Sequence, residues 1–369
     1  MSDAAAAWAR VERLLCVRLD ALGDVIMTGP ALRALKRGHP GRHVTLLTSP
    51  AGASVGRYLP GVDEVLVYEA PWVKATPARA RSLSDRLIAR HLRQRHFEGA
   101  VIFTVYSQSA LPAAQLCYLA DIPRRLAHCR ENPYQLLTDW IPDPEPHARL
   151  RHEVRRQLDL VRHIGALPDD DRLRLLLPPE YFARARRQLQ SLGLHAGMPW
   201  VVLHPGATAP SRRYPASAFA AAARQLVREH GCAVVFTGSA AERALVERVR
   251  RSMDAPSYSL AGQLSFGALC GLIAHAPVLV SNNTGPVHVA AALGTPVVDL
   301  YALTNPQHMP WGVENRVLYH NVACKYCYKS LCPEGHHDCL RRVPPDAVVS
   351  ATLELLAQRL APRPARAAE

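Results

Sequence analysis

VSNNTGPVHVAAALGTPVVDL, residues 280–300, is the stretch whose reading decides the fold. Residues 278–280 are a short apolar run that gives way to Ser281, Asn282, Asn283, Thr284 and Gly285, the pattern of a buried strand entering a tight turn. Asn283 or Thr284 can cap a helix that starts near Pro286, a residue tolerated in a first turn because its missing N–H would be unbonded there. That helix is short and apolar through Leu293. Gly294 stops it, and residues 296–300 begin another strand. Strand, polar turn, helix N-terminus and strand together offer backbone N–H groups to an anion such as a phosphate. The same stretch also fits a plain βαβ connection that binds nothing, so its neighbours must decide.

Working outward, the rhythm repeats. Upstream, strands are predicted at 200–203, 234–237 and 257–260, with helices at 218–229, 240–251 and 266–274. The first half reads the same way, with strands at 14–19, 44–48, 64–68 and 100–105 and helices at 24–37, 79–95 and 150–164. Pro142, Pro144 and Pro146 mark an irregular connection, and residues 168–171 and 178–179 flank a hinge between the halves. A last helix is expected near 345–360. This alternation predicts an α/β protein with two doubly wound parallel sheets and a cleft between them. The expected domains are 1–168 and 169–361, followed by a disordered tail at 362–369.

Composition narrows the class. A chain of 369 residues, 49% hydrophobic, can bury two cores. The opening MSDAAAAWARVERLL lacks the parts of a secretory signal, and no apolar run is long enough to span a bilayer, which predicts a cytoplasmic chain. The net charge of +13 suits nucleic acid, anionic membrane or phosphorylated substrates. The arginines lie along helical stretches and no nucleic-acid signature accompanies them, so nucleic acid is not expected as a partner.

Four further turns follow predicted strands. After the first comes RLDALGD, in which Gly23 permits a sharp turn and Asp24 stands where a helix begins. A carboxylate there is favoured by the helix dipole and can take a proton from an attacking hydroxyl, although a plain helix cap is the commoner role. No Gly-x-Gly-x-x-Gly or Walker loop is present. His204-Pro-Gly-Ala-Thr208, with Arg212 and Arg213 beyond it, suits a diphosphate. Thr237-Gly-Ser239 leads to Glu242, placed to accept from a ribose diol, and residues 260–266 bring Leu264 to an adenine slot. Solvated arginines and helix-start acids account for each of these singly; their succession at strand ends points to one nucleotide site.

These motifs together resemble glycosyltransferase family nine, the ADP-heptose:lipopolysaccharide heptosyltransferases. The matching segments are RLDALGDVIMTGPALRALKR (18–37), LHPGATAPSRRYP (203–215), TGSAAER (237–243) and VSNNTGPVHVAAALGTPVV (280–298). The resemblance implies a GT-B fold, with the acceptor on the N-terminal domain and the nucleotide sugar on the C-terminal one. It also implies an inverting transfer that needs no metal. It places Asp24 as general base and Thr208 and Arg212 on the diphosphate. Glu242 falls on the ribose and Leu264 beside the adenine, while Thr284, Gly285 and His288 lie near diphosphate and sugar. Asn283 departs from the family's usual Asp, keeping an acceptor but losing a charge, which leaves the sugar open. Arg18 and Lys36 suit an anionic glycolipid acceptor. An ADP-sugar is the expected donor, with peripheral contact at the inner face of the cytoplasmic membrane.

Four of the nine cysteines, Cys324, Cys327, Cys332 and Cys339, cluster in a loop at 324–339 with His336 and His337. They suit a structural zinc or iron, or free thiols packing a loop, and catalysis needs neither. The remaining five read as buried apolar fillers. Competing readings are a GT-B transferase using another nucleotide sugar, a non-catalytic nucleotide- or sugar-binding relative, and a basic nucleic-acid binder.

Overall fold

The computed structural model describes residues 3–74, 76–195 and 197–360. It falls into two compact units, Met1–Leu176 and Leu177–Glu369. The first contains β1 (Arg13–Arg18), β2 (His43–Thr48), β3 (Glu64–Val67), β4 (Gly99–Ile102), β5 (Arg124–Cys129) and β6 (Asp139–Pro142). All pair in parallel, in the order β3-β2-β1-β4-β5-β6. The second contains β7 (Trp200–His204), β8 (Ala233–Phe236), β9 (Tyr258–Ser259), β10 (Leu279–Asn282), β11 (Val297–Leu300) and β12 (Asn315–Leu318). These too are parallel, ordered β12-β11-β10-β7-β8-β9. In each sheet the winding reverses once, between β1 and β4 and between β7 and β10. Ligands of doubly wound sheets bind at such reversals, beyond the carboxyl ends of the strands.

Burial explains why the inner strands are readable. Leu14, Leu15, Cys16 and Val17 of β1 are sealed, as are Val201, Val202 and Leu203 of β7. Burying each such aliphatic side chain contributes about 1.5–3 kcal/mol. Helix Leu22–Gly38 buries a near-continuous apolar face and packs on helix Glu153–Arg162. The latter is shorter than the expected 150–164, and the expected helix at 79–95 is Leu83–Gln94.

Other elements depart from expectation. Helices Pro50–Gly56, Leu111–Leu119 and Pro179–Ser191, and strands β5, β6 and β12, are additions to the expected set. The hinge expected between 168–171 and 178–179 contains the division between the units, and Pro179 on its far side starts a helix, because a proline's fixed φ and absent N–H suit a first turn. The units divide after Leu176 rather than at 168. The intervening segment stays with the first unit through Arg33 Nη2, 3.0 Å from Asp170 Oδ1, and the Leu176 N–H, which donates to Tyr58 O at 2.8 Å. Helix Pro179–Ser191 lies close against helix Phe266–His275 because Gly271 has no Cβ, which would overlap the Tyr181 backbone. The expected tail at 362–369 lies outside the described residues. No described helix is long and apolar enough to cross a membrane.

Candidate active site

In the first unit the chemistry gathers at the end of β1. Arg18 is fully buried, and a buried guanidinium requires counter-charge. Three carboxylates supply it. Asp20 Oδ2 lies 2.8 Å from Nε, Glu153 Oε1 2.8 Å from Nη1 and Asp24 Oδ1 3.4 Å from Nη2. Charge from all three carboxylates and a hydrogen bond to Glu153 hold the guanidinium. Burial opposes the Arg18 charge, but Asp20, Glu153 and Asp24 outweigh it and its pKa is raised. Asp20 is pushed up to about 6, by burial first and by Asp24, against the pull of Arg18.

Asp24 stands in the first turn of helix Leu22–Gly38 but is not its cap; that place is held by Ala21. Its side chain is 17% exposed, against 10% for Asp20 and none for Glu153. Of the three carboxylates it is the one most open to a substrate. Beside Asp20 a cavity of about 290 Å³ opens at the β1–β4 reversal, walled by Trp72 and Phe103 with Gln108 on its polar side.

Two acceptor residues expected from sequence are corrected here. Arg18 cannot touch an acceptor: it is sealed beneath the carboxylates and positions Asp24. Lys36 sits in the last turn of the helix that Asp24 starts, about 18 Å along the axis. Its ammonium is held by Asp63 at 2.8 Å and by Arg42 O at 2.6 Å.

In the second unit the segments after β7, β8, β9 and β10 carry the expected donor residues. Asn282, buried at the end of β10, holds the segment after β7: Nδ2 donates to Pro205 O at 2.8 Å, and Oδ1 accepts from the Tyr214 N–H at 2.9 Å. Thr208 is exposed at the tip of the first turn. Arg212 is half-buried and donates to Asn305 Oδ1 at 3.0 Å. Arg213 turns back to brace the loop, donating to Ala207 O at 2.7 Å. Glu242 closes a capping box with Ser239, and its carboxylate lies over Gly206, where a Cβ would overlap it. His204 stands between Thr237 Oγ1, at 3.0 Å, and Glu242 Oε2, at 4.0 Å, with its pKa lowered by burial against the pull of Glu242. Leu264 is half-buried along a hollow with Arg184, Arg187 and Gln188.

Thr284 is the cap residue of helix Gly285–Leu293, yet its side chain makes no capping bond. The backbone N–H groups of that first turn are therefore not covered by the cap side chain, which suits an anion. His288 is buried in the same helix. Asn283 spends both amide hydrogens inward, on Asp299 Oδ2 at 2.9 Å and His308 O at 2.8 Å. Sequence reasoning misses Asp20, Glu153, Asp299, Asn305 and His308. An acid inside the apolar run PVVDL is the signal for Asp299, whose carboxyl is pushed up to about 8 by burial against the pull of Asn283 and Arg212.

The four clustered cysteines are free and half-exposed. Cys324 Sγ lies 3.7 Å from His336 Nε2, but among the described residues no three His, Cys, Asp or Glu side chains form a metal's ligand set. The loop's visible role is mechanical: Lys329 O and Ser330 O accept from Ser211 Oγ and N, steadying the turn that carries Arg212. The other five thiols are buried, as expected.

Two doubly wound parallel sheets, one bearing a buried carboxylate cluster at its reversal and the other an uncapped helix N-terminus, define the GT-B class of glycosyltransferase. Known proteins agree. The profile of glycosyltransferase family 9 (heptosyltransferase) matches residues 86–337. The chain is 24% identical over 360 residues to lipooligosaccharide heptosyltransferase 2 of Haemophilus ducreyi, covering 94% of this chain and 99% of that one. It is 26% identical over 362 residues to lipopolysaccharide heptosyltransferase 2 of Escherichia coli K12, covering 94% and 99%. Among solved structures, a family 9 glycosyl transferase from Veillonella parvula superposes with a TM-score of 0.76 at 23% identity, covering 94% of this chain and 97% of that one. The E. coli ADP-heptose lps heptosyltransferase II superposes at 0.73 and 23%, covering 95% and 100%. The chain belongs to glycosyltransferase family 9 and is a glycosyltransferase.

Proposed function

We propose that the chain moves a heptosyl residue from ADP-heptose to a hydroxyl of a lipopolysaccharide core acceptor, inverting the anomeric centre, with Asp24 as general base. The observation that carries the reading is Asp24: a partly exposed carboxylate in the first turn of helix Leu22–Gly38, paired with the buried guanidinium that ends β1. In this mechanism the acceptor oxygen attacks the anomeric carbon as Asp24 takes its proton, and the bond to the diphosphate breaks. Arg212, Thr208 and the N–H groups at Thr284 and Gly285 meet the charge that grows on the departing ADP. Glu242 serves the ribose and Leu264 the adenine, while His288 and the Asn283 oxygen serve the sugar. No step runs through a metal. Elemental analysis of protein purified without chelator tests a structural zinc or iron at the cysteine loop, and less than about 0.1 metal per chain ends that idea.

Asn283 supports a second reading, a nucleotide sugar other than heptose. Calorimetry against ADP-, UDP- and GDP-sugars separates the two, and preference for a uridine or guanosine donor removes the heptose assignment. Peripheral binding to anionic lipid is proposed through helix Leu83–Gln94, where exposed Leu83 and Leu87 accompany Arg86 and Arg90. Sedimentation with anionic but not zwitterionic vesicles is the expected result.

A further inference from the structure

The cavity at the β1–β4 reversal belongs to none of the roles assigned so far. Its lining divides by chemistry. Trp72, Val73, Phe103 and Pro112 present apolar surface, while Asp20 and Gln108 present polar groups. Gln108 Nε2 donates to Asp20 Oδ1 and Arg18 holds Oδ2, which leaves the Gln108 amide oxygen and the second lone pairs of the carboxylate for a ligand. Trp72 is 37% exposed despite its size. It is braced edge-on by Tyr68 at 5.7 Å, and the Tyr68 hydroxyl donates to Asp85 at 2.7 Å. An aromatic plate held at a cavity mouth opposite hydrogen-bonding groups matches a sugar ring, which has an apolar C–H face and a rim of hydroxyls. At about 290 Å³ the volume sits at the lower end of ligand pockets, room for one ring rather than an oligosaccharide.

Charge selects among sugars. Among the described residues no Lys, Arg or His lines the cavity. Arg18, the cation beneath it, is outnumbered by Asp20, Asp24 and Glu153, three carboxylates against one guanidinium. A phosphate or carboxylate seated here would meet net negative charge without a compensating donor. Asp24 does not line the cavity, but it pairs with the same Arg18 guanidinium as Asp20, so the cavity adjoins the carboxylate cluster that holds the proposed base.

We propose that this cavity seats a neutral sugar ring of the acceptor, the one whose hydroxyl is glycosylated, with Trp72 on its apolar face and Asp20 and Gln108 on its hydroxyls. The inference rests on the transferase reading above and makes it narrower. Whatever charge the acceptor carries lies outside this seat, and the reacting residue is neither a sugar acid nor a sugar phosphate.

The test uses the full chain with ADP-heptose and three soluble acceptors: a methyl heptopyranoside, its phosphate, and the methyl glycoside of a 3-deoxy sugar acid. The neutral glycoside is expected to be glycosylated at least about tenfold more efficiently than either anion, a difference of about 1.4 kcal/mol. Trp72→Ala is expected to raise the KM for the neutral acceptor about tenfold with the donor KM unchanged, and Trp72→Phe to restore most of it. Equal or better use of an anionic acceptor overturns the proposal, as does an unchanged acceptor KM in a Trp72→Ala protein with wild-type circular dichroism. Calorimetry with the methyl heptopyranoside alone keeps the two readings apart. Binding that Trp72→Ala abolishes, without any transfer, leaves the sugar seat standing and removes the transferase mechanism. Absence of both binding and transfer removes the seat.

Discussion

The two units share one strand order and fill the reversal point in opposite ways. In the first, β1 ends on a buried cation, Arg18, and three carboxylates gather around it. In the second, β10 ends on a buried neutral amide, Asn282, which holds the segment after β7 through a backbone carbonyl and an N–H group. The difference fits the roles proposed for the two strand ends. A base has to be an ionised carboxylate, and keeping several carboxylates at one partly buried place requires a cation within reach. An anion site such as the one proposed works best when little negative charge stands in its framework to compete for the N–H groups and Arg212. The same topology thus supports an acidic pocket and an anion-receiving one, according to the residue that closes the strand.

The sharpest way to break this comparison is at Asp24. Asp24→Asn preserves shape and removes the proton acceptor. Transfer is expected to fall by about 10²- to 10⁴-fold while donor affinity measured by calorimetry is unchanged. Retention of transfer by a folded variant removes the role of base. Next in size is Arg18→Leu. Taking one partner from a buried charge cluster costs about 3–5 kcal/mol, read as a lower midpoint in denaturant unfolding. Because the abandoned groups are acids, the loss is expected to shrink as pH falls and they take up protons. A loss equal at pH 4 and pH 7 contradicts the charge account. Arg212→Ala is smaller. Losing one charge-assisted contact to a diphosphate costs about 1.5–3 kcal/mol, roughly 10- to 150-fold in kcat/KM, with Arg212→Lys retaining part of it. Unchanged affinity for ADP in Arg212→Ala moves the diphosphate elsewhere.

These residues also show how far the sequence can be read. Both sheets are legible because their inner strands are apolar runs followed by polar turns, as in VSNNTG and VFTGS. The edge strands are not. β6 reads DWIP among prolines and β12 reads NRVL, half-buried segments with neither an apolar run nor clear alternation. Helix Leu111–Leu119 escapes notice because it is apolar nearly all round, leaving no periodic face to detect. At the site, positions are legible and roles less so. Arg18 reads as a ligand contact because a basic residue beside a polar turn gives no sign of burial, and one of its partners, Glu153, lies far along the chain. Asp24 can be placed at a helix start, but its tether to Arg18 depends on the fold.

The smallest expected effect concerns Asp299, where the second unit departs from its own rule by burying an acid behind the anion site. Its carboxyl is sealed, Oδ1 has no hydrogen-bond partner among the described residues, and Oδ2 accepts from Asn283. Burial pushes its pKa up to about 8, Asn283 and Arg212 opposing. The unfolded chain titrates this group near about 3.9. A folded pKa above the unfolded one means that the native state binds the proton more tightly. The resulting stability is complete below about pH 4 and is lost as pH rises through about 8. Asp299→Asn removes that titration. Relative to the parent, the variant is expected to unfold at a similar temperature at pH 4 and at a higher one at pH 9. A folded pKa only tenfold in proton affinity above the unfolded one already amounts to about 1.4 kcal/mol, or about 2–4 °C for a domain of this size. A difference in midpoint that stays constant from pH 4 to pH 9 would show that Asp299 is already ionised in the folded unit. The negative charge absent at Asn283 would then have moved one strand over, and the contrast between an acidic crevice and a neutral one would fail.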